Sequence, residues 1–291
     1  MQATAAFSAV LGALNWFTDN FVRLADWYAS VKRVDELADA LEAVDAATLA
    51  GATETIDITR GEDETLRLQD LSIAHRDGRA VVDSATIDIQ PGEKVLIGGA
   101  SGTGKSTLIR AIAGLWPWGS GRIVLPKSAA VTFVPQKPYI PRAGLREVVS
   151  YPAAAGAHAD EAIVAALERC GIGYLKTKLD DEEARWDETL SGGERQAIAF
   201  ARLLLQKPAI VIMDEATSAL DEARQTSLMA LFQDELAGAT LISVGHRPGL
   251  ELYHDRAITL HREPAGARMT ARPLRNSIGA FFRKRFGLKR G

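Results

Sequence analysis

Lys94-Val95-Leu96-Ile97-Gly98-Gly99-Ala100-Ser101-Gly102-Thr103-Gly104-Lys105-Ser106-Thr107 is the stretch that decides the fold. Lys94–Gly98 is a short apolar run of the kind expected for a strand buried on both faces. Helical spacing follows from Lys105 to Leu115. Between them, Gly99 to Ser106 fits G-x-x-x-x-G-K-S/T in the strand–loop–helix setting that this motif requires. Its glycines let the loop curl until successive N–H groups converge on one anion. The helix N-terminus behind the loop adds partial positive charge. Lys105 supplies a mobile charge for the outer phosphates of a nucleotide, and the Ser106 hydroxyl suits a magnesium shell.

Outward from this loop the chain alternates strand and helix patterns. Leu66–Ile73 and Val81–Ile89 alternate apolar and polar residues, as strands with one covered face do. Val131–Val134, Ala209–Met213 and Ala239–Val244 are short apolar runs of buried-strand type. Asp160–Cys170, Glu194–Gln206 and Glu222–Leu236 carry helical spacing. This order predicts an α/β layer with a mostly parallel sheet, and no internal repeat accompanies it. Ala209–Met213 delivers two carboxylates at its end, Asp214 and Glu215. Such a pair suits a magnesium-linked Asp followed by a Glu that positions or deprotonates an attacking water.

Leu190-Ser191-Gly192-Gly193-Glu194-Arg195-Gln196 adds a different signal. Ser191 and Glu194 form an S-x-x-E capping box for the helix that ends before Pro208. A cap accounts for Ser and Glu but not for two glycines at a helix mouth, where they cost backbone entropy. Bare N–H groups there make an anion site that a phosphate can approach closely.

With these motifs the chain resembles the ATP-binding-cassette ATPases, whose signature sequence is LSGGERQ-like. The resemblance covers residues 64–262. It implies a P-loop NTPase with a parallel-sheet core, a small antiparallel β subdomain and a helical signature subdomain, preceded here by a long N-terminal helix. It also implies ATP and magnesium as ligands, with Gly99 to Thr107 around the phosphates and Ser106, Gln136 and Asp214 around the metal. Gln136, in Val134-Pro135-Gln136, matches the Q-loop glutamine, and Ser218-Ala219-Leu220-Asp221 matches the D-loop. His246, at a strand end 31 residues past Glu215, matches the switch histidine. His158, His254 and His261 match no motif position and read as structural. By the same resemblance Glu215, His246 and Lys105 carry catalysis. Ser191, Gly192, Gly193 and Asp221 serve a nucleotide shared with a second cassette in a head-to-tail dimer. His75 stands where the family usually stacks an aromatic residue on adenine, and Ala197 stands where many members carry arginine.

Several details are similar to one branch, the half-transporters akin to peroxisomal fatty-acyl-CoA carriers and their bacterial relatives. Among them are Gly114 to Gly121, Gln136 to Pro141, Trp186 four residues before Leu190, and Asn15-Trp16-Phe17 through Leu24-Ala25-Asp26-Trp27. That last stretch resembles the end of the last membrane helix in those proteins. The resemblance thus implies a transmembrane-domain partner, possession of two cassettes (most simply a homodimer), and a place at the cytoplasmic face of the inner membrane.

Composition sets the outer bounds. The chain has 291 residues, 47% hydrophobic and 24% charged, which excludes a disordered or collagen-like class. One cysteine, Cys170, excludes a disulfide scaffold and a multi-cysteine zinc site. A net charge of −3 gives no electrostatic case for nucleic acid. That average hides a division: residues 1–263 hold 26 bases against 37 acids, a net −11, and the last 28 hold eight bases and no acid.

The expected organisation is an N-terminal helix over 1–45, apolar at first and then amphipathic. A linker over 46–63, the nucleotide domain over 64–262 and a basic tail over 263–291 follow. In the tail, Ile278, Phe281, Phe282 and Phe286 lie at helical spacing among Arg283, Lys284, Arg285, Lys289 and Arg290, a pattern suited to anionic lipid. Six spanning helices need about 120 residues before loops, so any pore is expected to lie largely on another chain. Two other classes stay open. One is a non-transport cassette ATPase of the DNA-repair or translation type, against which stand the single cassette and the 54 residues between Gln136 and Ser191. The other is a nucleotide-binding subunit that does not hydrolyse, against which stand Glu215 and His246.

Overall fold

Apolar runs and glycine-rich breaks divide the chain into ten strands and seven α-helices among its described residues. The computed structural model describes residues 2–50, 55–127, 130–154, 156–181 and 185–274. Two units separate, residues 1–54 and residues 55–291. The first contains α1 (Gln2–Ala50), which runs past the expected end at residue 45. Ala46, Ala47, Leu49 and Ala50 are good helix formers, so nothing in the sequence ends the helix before Gly51. Phe7, Trp16, Phe21, Trp27, Val34 and Leu41 are exposed along it. Among the described residues no helix is long and apolar enough to cross a membrane.

The second unit follows in chain order as β1 (Asp57–Arg60), β2 (Leu66–Ala74), β3 (Ala80–Ile89) and β4 (Lys94–Gly99). Next come α2 (Lys105–Ile112), β5 (Gly119–Leu125), β6 (Val131–Val134), α3 (Leu145–Ser150) and α4 (Asp160–Arg169). Then come α5 (Trp186–Thr189), α6 (Gly192–Gln206), β7 (Ile210–Asp214), α7 (Glu222–Met229) and β8 (Thr240–Val244). β9 (Arg256–His261) and β10 (Arg268–Pro273) complete the series.

Two sheets result, in the orders β1-β5-β2-β3 and β10-β9-β4-β8-β7-β6. The large sheet is parallel from β9 through β6, which agrees with the apolar, two-sided character of its strands. In the small sheet β2 pairs antiparallel with β3 and β5, while β1 lies parallel to β5.

Two expected boundaries need correction. Asp57–Arg60, placed in the 46–63 linker, forms β1 against Arg122–Leu125. Four residues on a sheet edge, with a polar face and an Arg122–Asp57 ion pair of 2.7 Å, carry too little periodicity to read as a strand. Arg268–Pro273, placed in the basic tail, forms β10 antiparallel to β9. Its mostly exposed, basic residues are those that an edge strand tolerates, and they resemble a solvated tail. Arg275 and the apolar and basic residues from Ile278 onward lie outside the described residues.

The core forms two clusters. One lies around α2, where Leu108, Ile109 and Ile112 pack with Leu66, Leu68, Ile97 and Ile123. The other joins α3, α4 and α6 to β7 around Phe200, whose ring meets Phe232 edge-on at 6.4 Å. Each such phenylalanine stabilises by about 2–3 kcal/mol through burial alone. Lys94 is buried at the start of β4. Its Nζ donates to the carbonyls of Gly92, Ala237 and Ala239, and desolvation pulls its pKa down to about 8.

The sheet register positions the chemistry. Val244 pairs with both Ile97 and Asp214, so β4, β7 and β8 end at one level. Their carboxyl ends release the Gly99 loop, Glu215 and His246 side by side. That edge is where open α/β sheets bind ligands.

Candidate functional site

The loop after β4 takes its shape from three glycines with positive φ: Gly99 (134°), Gly102 (75°) and Gly104 (91°). A Cβ on Gly99 would sit 2.6 Å from Leu260 O, and one on Gly104 would sit 2.3 Å from Val81 Cγ1. These glycines therefore answer a steric demand as well as a dihedral one. Thr103 Oγ1 donates to Ala100 O at 2.9 Å and braces the bend. Lys105 folds back over the loop, with Nζ donating to Gly99 O at 3.0 Å and Ala100 O at 2.7 Å. Desolvation lowers its pKa, and the nearby charges of Glu215 and Asp214 oppose that shift.

Ser106, on the first turn of α2, donates to Asp214 Oδ1 at 2.9 Å, and Asp214 is buried at the end of β7. Arg110, one turn further along α2, stands 3.6 Å from Asp214 Oδ2. Glu215 follows with φ +49°, and its N–H donates to Val244 O at 3.0 Å. Gln136 Nε2 donates to Glu215 Oε2 at 3.0 Å, and His246 Nε2 lies 3.9 Å from Glu215 Oε1. The fold thus brings Lys105, Ser106, Asp214, Glu215, Gln136 and His246 around one edge. Ser106 and Asp214 offer the hard oxygen ligands that magnesium prefers, so the donor set fits that ion. Gln136 spends its amide on Glu215, adjacent to that pair.

Ser191 caps α6 as a capping box: Glu194 N donates to Ser191 Oγ at 3.3 Å, and Ser191 N donates to Glu194 Oε2 at 2.7 Å. Tyr174 OH donates to Glu194 as well, from a short 3-10 turn at Gly173–Lys178. The Ser191 and Tyr174 bonds hold the Glu194 carboxyl below its usual pKa. Partial burial together with Glu194 pushes the Tyr174 phenol up to about 12. A Cβ on Gly192 would come within 3.2 Å of Ala219 Cβ, and one on Gly193 within 3.2 Å of Ala219 O. The groove beside this loop is lined by Gln136, Lys137, Leu190, Gln196, Ser218 and Ala219, with no phosphate-loop residue among its walls. Within one chain, then, Gly192 shares a groove with Gln136, Ser218 and Ala219, and Gly193 lies against Ala219.

Gln196 and Arg247 are the side chains that sequence reasoning passed over. Gln196 is 1% exposed. Its Nε2 donates to Gln136 O at 3.1 Å and Ser218 Oγ at 3.3 Å, and its Oε1 accepts from Ala219 N at 3.0 Å. Arg247 donates to Thr217 O and Leu220 O. Gln196 stood inside a quoted motif, and helical spacing from Ser191 was its one available signal. Asp221 serves as N-cap of α7, accepting from Arg224 N at 2.8 Å.

His75 lines a cleft of about 460 Å³ together with Arg79, Gly102, Thr103 and Arg262. Its ring meets Trp116 edge-on at 5.9 Å, and Trp116 Nε1 donates to Ala74 O. His254 is buried, with one ring nitrogen 2.5 Å from Ser243 Oγ and the other 2.7 Å from Leu250 O. Burial drives its pKa down to about 4, which fits a structural histidine.

Comparison with known proteins gives a consistent assignment. Residues 82–218 match the family model described as "ABC transporter". An ABC transporter ATP-binding protein of Synechocystis sp. is 35% identical over 269 residues, covering 90% of this chain and 40% of the relative. The mouse lysosomal cobalamin transporter ABCD4 is 34% identical over 262 residues, covering 82% of this chain and 43% of that protein. The chain thus spans about two fifths of the length of these relatives. Among solved structures, a bacterial Atm1-family ABC exporter with ATP bound matches with a TM-score of 0.61. It is 23% identical and covers 80% of this chain and 41% of its own.

Proposed function

Because this chain carries the ATPase domain of an ABC transporter, we propose that it binds ATP with magnesium and hydrolyses it to drive a transmembrane partner. In this reading the nucleotide lies between two cassettes joined head to tail, most simply two copies of this chain, at the cytoplasmic face of the membrane. The observation that carries the reading is the meeting of Ser106, Asp214, Glu215, Gln136 and His246 at the end of one parallel sheet.

Phosphoryl transfer needs positioning and charge neutralisation more than covalent help. The N–H groups of the Gly99–Gly104 loop and the first turn of α2 hold the phosphates. Lys105 exchanges its two carbonyl partners for outer phosphate oxygens. Ser106 and Asp214 would hold magnesium, which would supply further neutralisation of phosphate charge, and Gln136 is held next to Asp214 through Glu215. Glu215 orients the attacking water and accepts its proton. His246, within reach of Glu215, holds the outer phosphate. The groove beside Gly192 has no phosphate-loop residue of its own chain in its walls, which supports service of Ser191, Gly192 and Gly193 to a nucleotide held by a second copy. His75 lines the cleft beside Gly102 and Thr103, which supports contact with the base.

The test compares the chain with its K105A and E215Q forms. K105A should lose ATP binding. E215Q should bind ATP with wild-type affinity and turn it over at least about 100-fold more slowly, the usual contribution of a general base. Wild-type turnover by E215Q removes Glu215 from its assigned role.

A further inference from the structure

We infer that Arg247 is a positioning residue that keeps His246 in register with Glu215 by gripping the loop Thr217–Leu220. The inference rests on the ATPase reading above and adds a residue to it.

The segment that carries His246 is loosely built by sequence. Gly245 and Gly249 flank it, the latter at φ 84°, and Pro248 has no N–H to offer. Side-chain bonds anchor it. Arg247 Nη1 donates to Thr217 O at 2.8 Å and also to Leu220 O, and Gln225 Nε2 donates to Pro248 O at 3.1 Å. The two carbonyls gripped by Arg247 belong to the loop that begins two residues after Glu215.

That loop is itself well fixed. Ser218 N donates to Glu215 O, Leu220 N to Thr217 O, and Ala219 N to the buried Gln196 amide. A closed ring of contacts therefore runs from Glu215 through Thr217–Leu220 to Arg247 and on to His246. It is closed by the 3.9 Å approach of His246 Nε2 to Glu215 Oε1. Without Arg247, the glycine-flanked segment would keep the Gln225–Pro248 bond, two residues beyond the imidazole. Nη1 carries two N–H groups, one for each carbonyl, on a guanidinium that stays charged. Misplacing a reacting group by about 1 Å can cost about 100-fold in rate.

The experiment measures steady-state ATP turnover, equilibrium ATP binding and thermal unfolding for the full wild-type chain, R247K and R247A. R247A should turn over at least about 10-fold more slowly while its ATP affinity stays within about twofold. R247K should fall between R247A and wild type, and added guanidinium should restore part of the R247A rate. Wild-type turnover by R247A overturns the inference and leaves the ATPase reading standing. So does a loss of turnover matched by equal losses of ATP affinity and melting temperature, which would make Arg247 a fold-stabilising residue only. Where R247A does not fold, R247K decides: slower turnover with unchanged ATP affinity upholds the role, and wild-type turnover overturns it. Absence of turnover in the wild-type chain removes the ATPase reading and this inference with it.

Discussion

Ser106 Oγ donates to Asp214 Oδ1 at 2.9 Å across 108 residues of sequence. One partner opens α2 and the other closes β7, so the bond ties the phosphate loop to the carboxylate end of the sheet. Asp214 stays buried, and an unpaired carboxylate there would be costly. The pair is thus preorganised as two oxygen donors on rigid elements, which suits the proposed metal role.

Replacing Asp214 with Asn should weaken magnesium-dependent ATP binding by about 10-fold or more. Magnesium-free nucleotide binding, carried by the loop N–H groups and Lys105, should change little. Titration calorimetry with ATP, with and without chelator, separates the two. Equal losses in both would show that Asp214 supports the loop's shape rather than a metal.

Gly104 and Gly102 share positive φ but differ in surroundings. G102A faces open space, so it should cost only the left-handed penalty, about 1–2 kcal/mol. G104A adds a contact of 2.3 Å with Val81 Cγ1 and should destabilise further and reduce ATP affinity as well. Denaturant unfolding of both variants checks the ranking.

Tyr174 reaches the signature cap from another element. Y174F removes one bond to Glu194 while keeping the ring, so the Ser191 cap should loosen. ATP binding by one chain should stay as it is, and ATP-driven association of two chains should weaken by about 10-fold, the low end of the value of one hydrogen bond to a charged group. Analytical ultracentrifugation of an E215Q background, with and without Y174F, reads this directly.

His254 makes folding pH-dependent. Its folded pKa of about 4 lies below the ordinary 6.5, so the unfolded chain takes up a proton first as pH falls. Its stabilising contribution is complete above about pH 6.5 and is lost progressively down to about pH 4, up to roughly 3 kcal/mol in all. H254Q should flatten this part of the stability profile, seen as a smaller drop in melting temperature between pH 7 and pH 5.

Most of the fold was legible because its central strands are buried on both faces, and continuous apolar runs such as Ile210–Met213 announce that condition. β1 and β10 escaped because they are short, polar edge strands whose identity depends on a partner far along the chain. In the site, the phosphate loop, Asp214, Glu215 and Ser191 each follow or open a regular element, so spacing located them. Gln196 and Arg247 could not be ranked in the same way. Their importance lies in carbonyls of a loop that no local pattern brings near them. The basic residues after Leu274, with the lipid-facing pattern expected there, fall outside the described residues.

Glu215 holds φ +49°, a conformation that side chains with a branched Cβ adopt only at a severe cost. The backbone therefore filters the residues that can occupy this position before chemistry does. Variants that probe the carboxylate are cleanest when they keep an unbranched side chain, as Gln does, since valine or threonine would report on a distorted turn. Glycine there would relax the turn and remove the carboxylate proposed as the base. A screen for thermal stability alone would then favour a chain that lacks the proposed base.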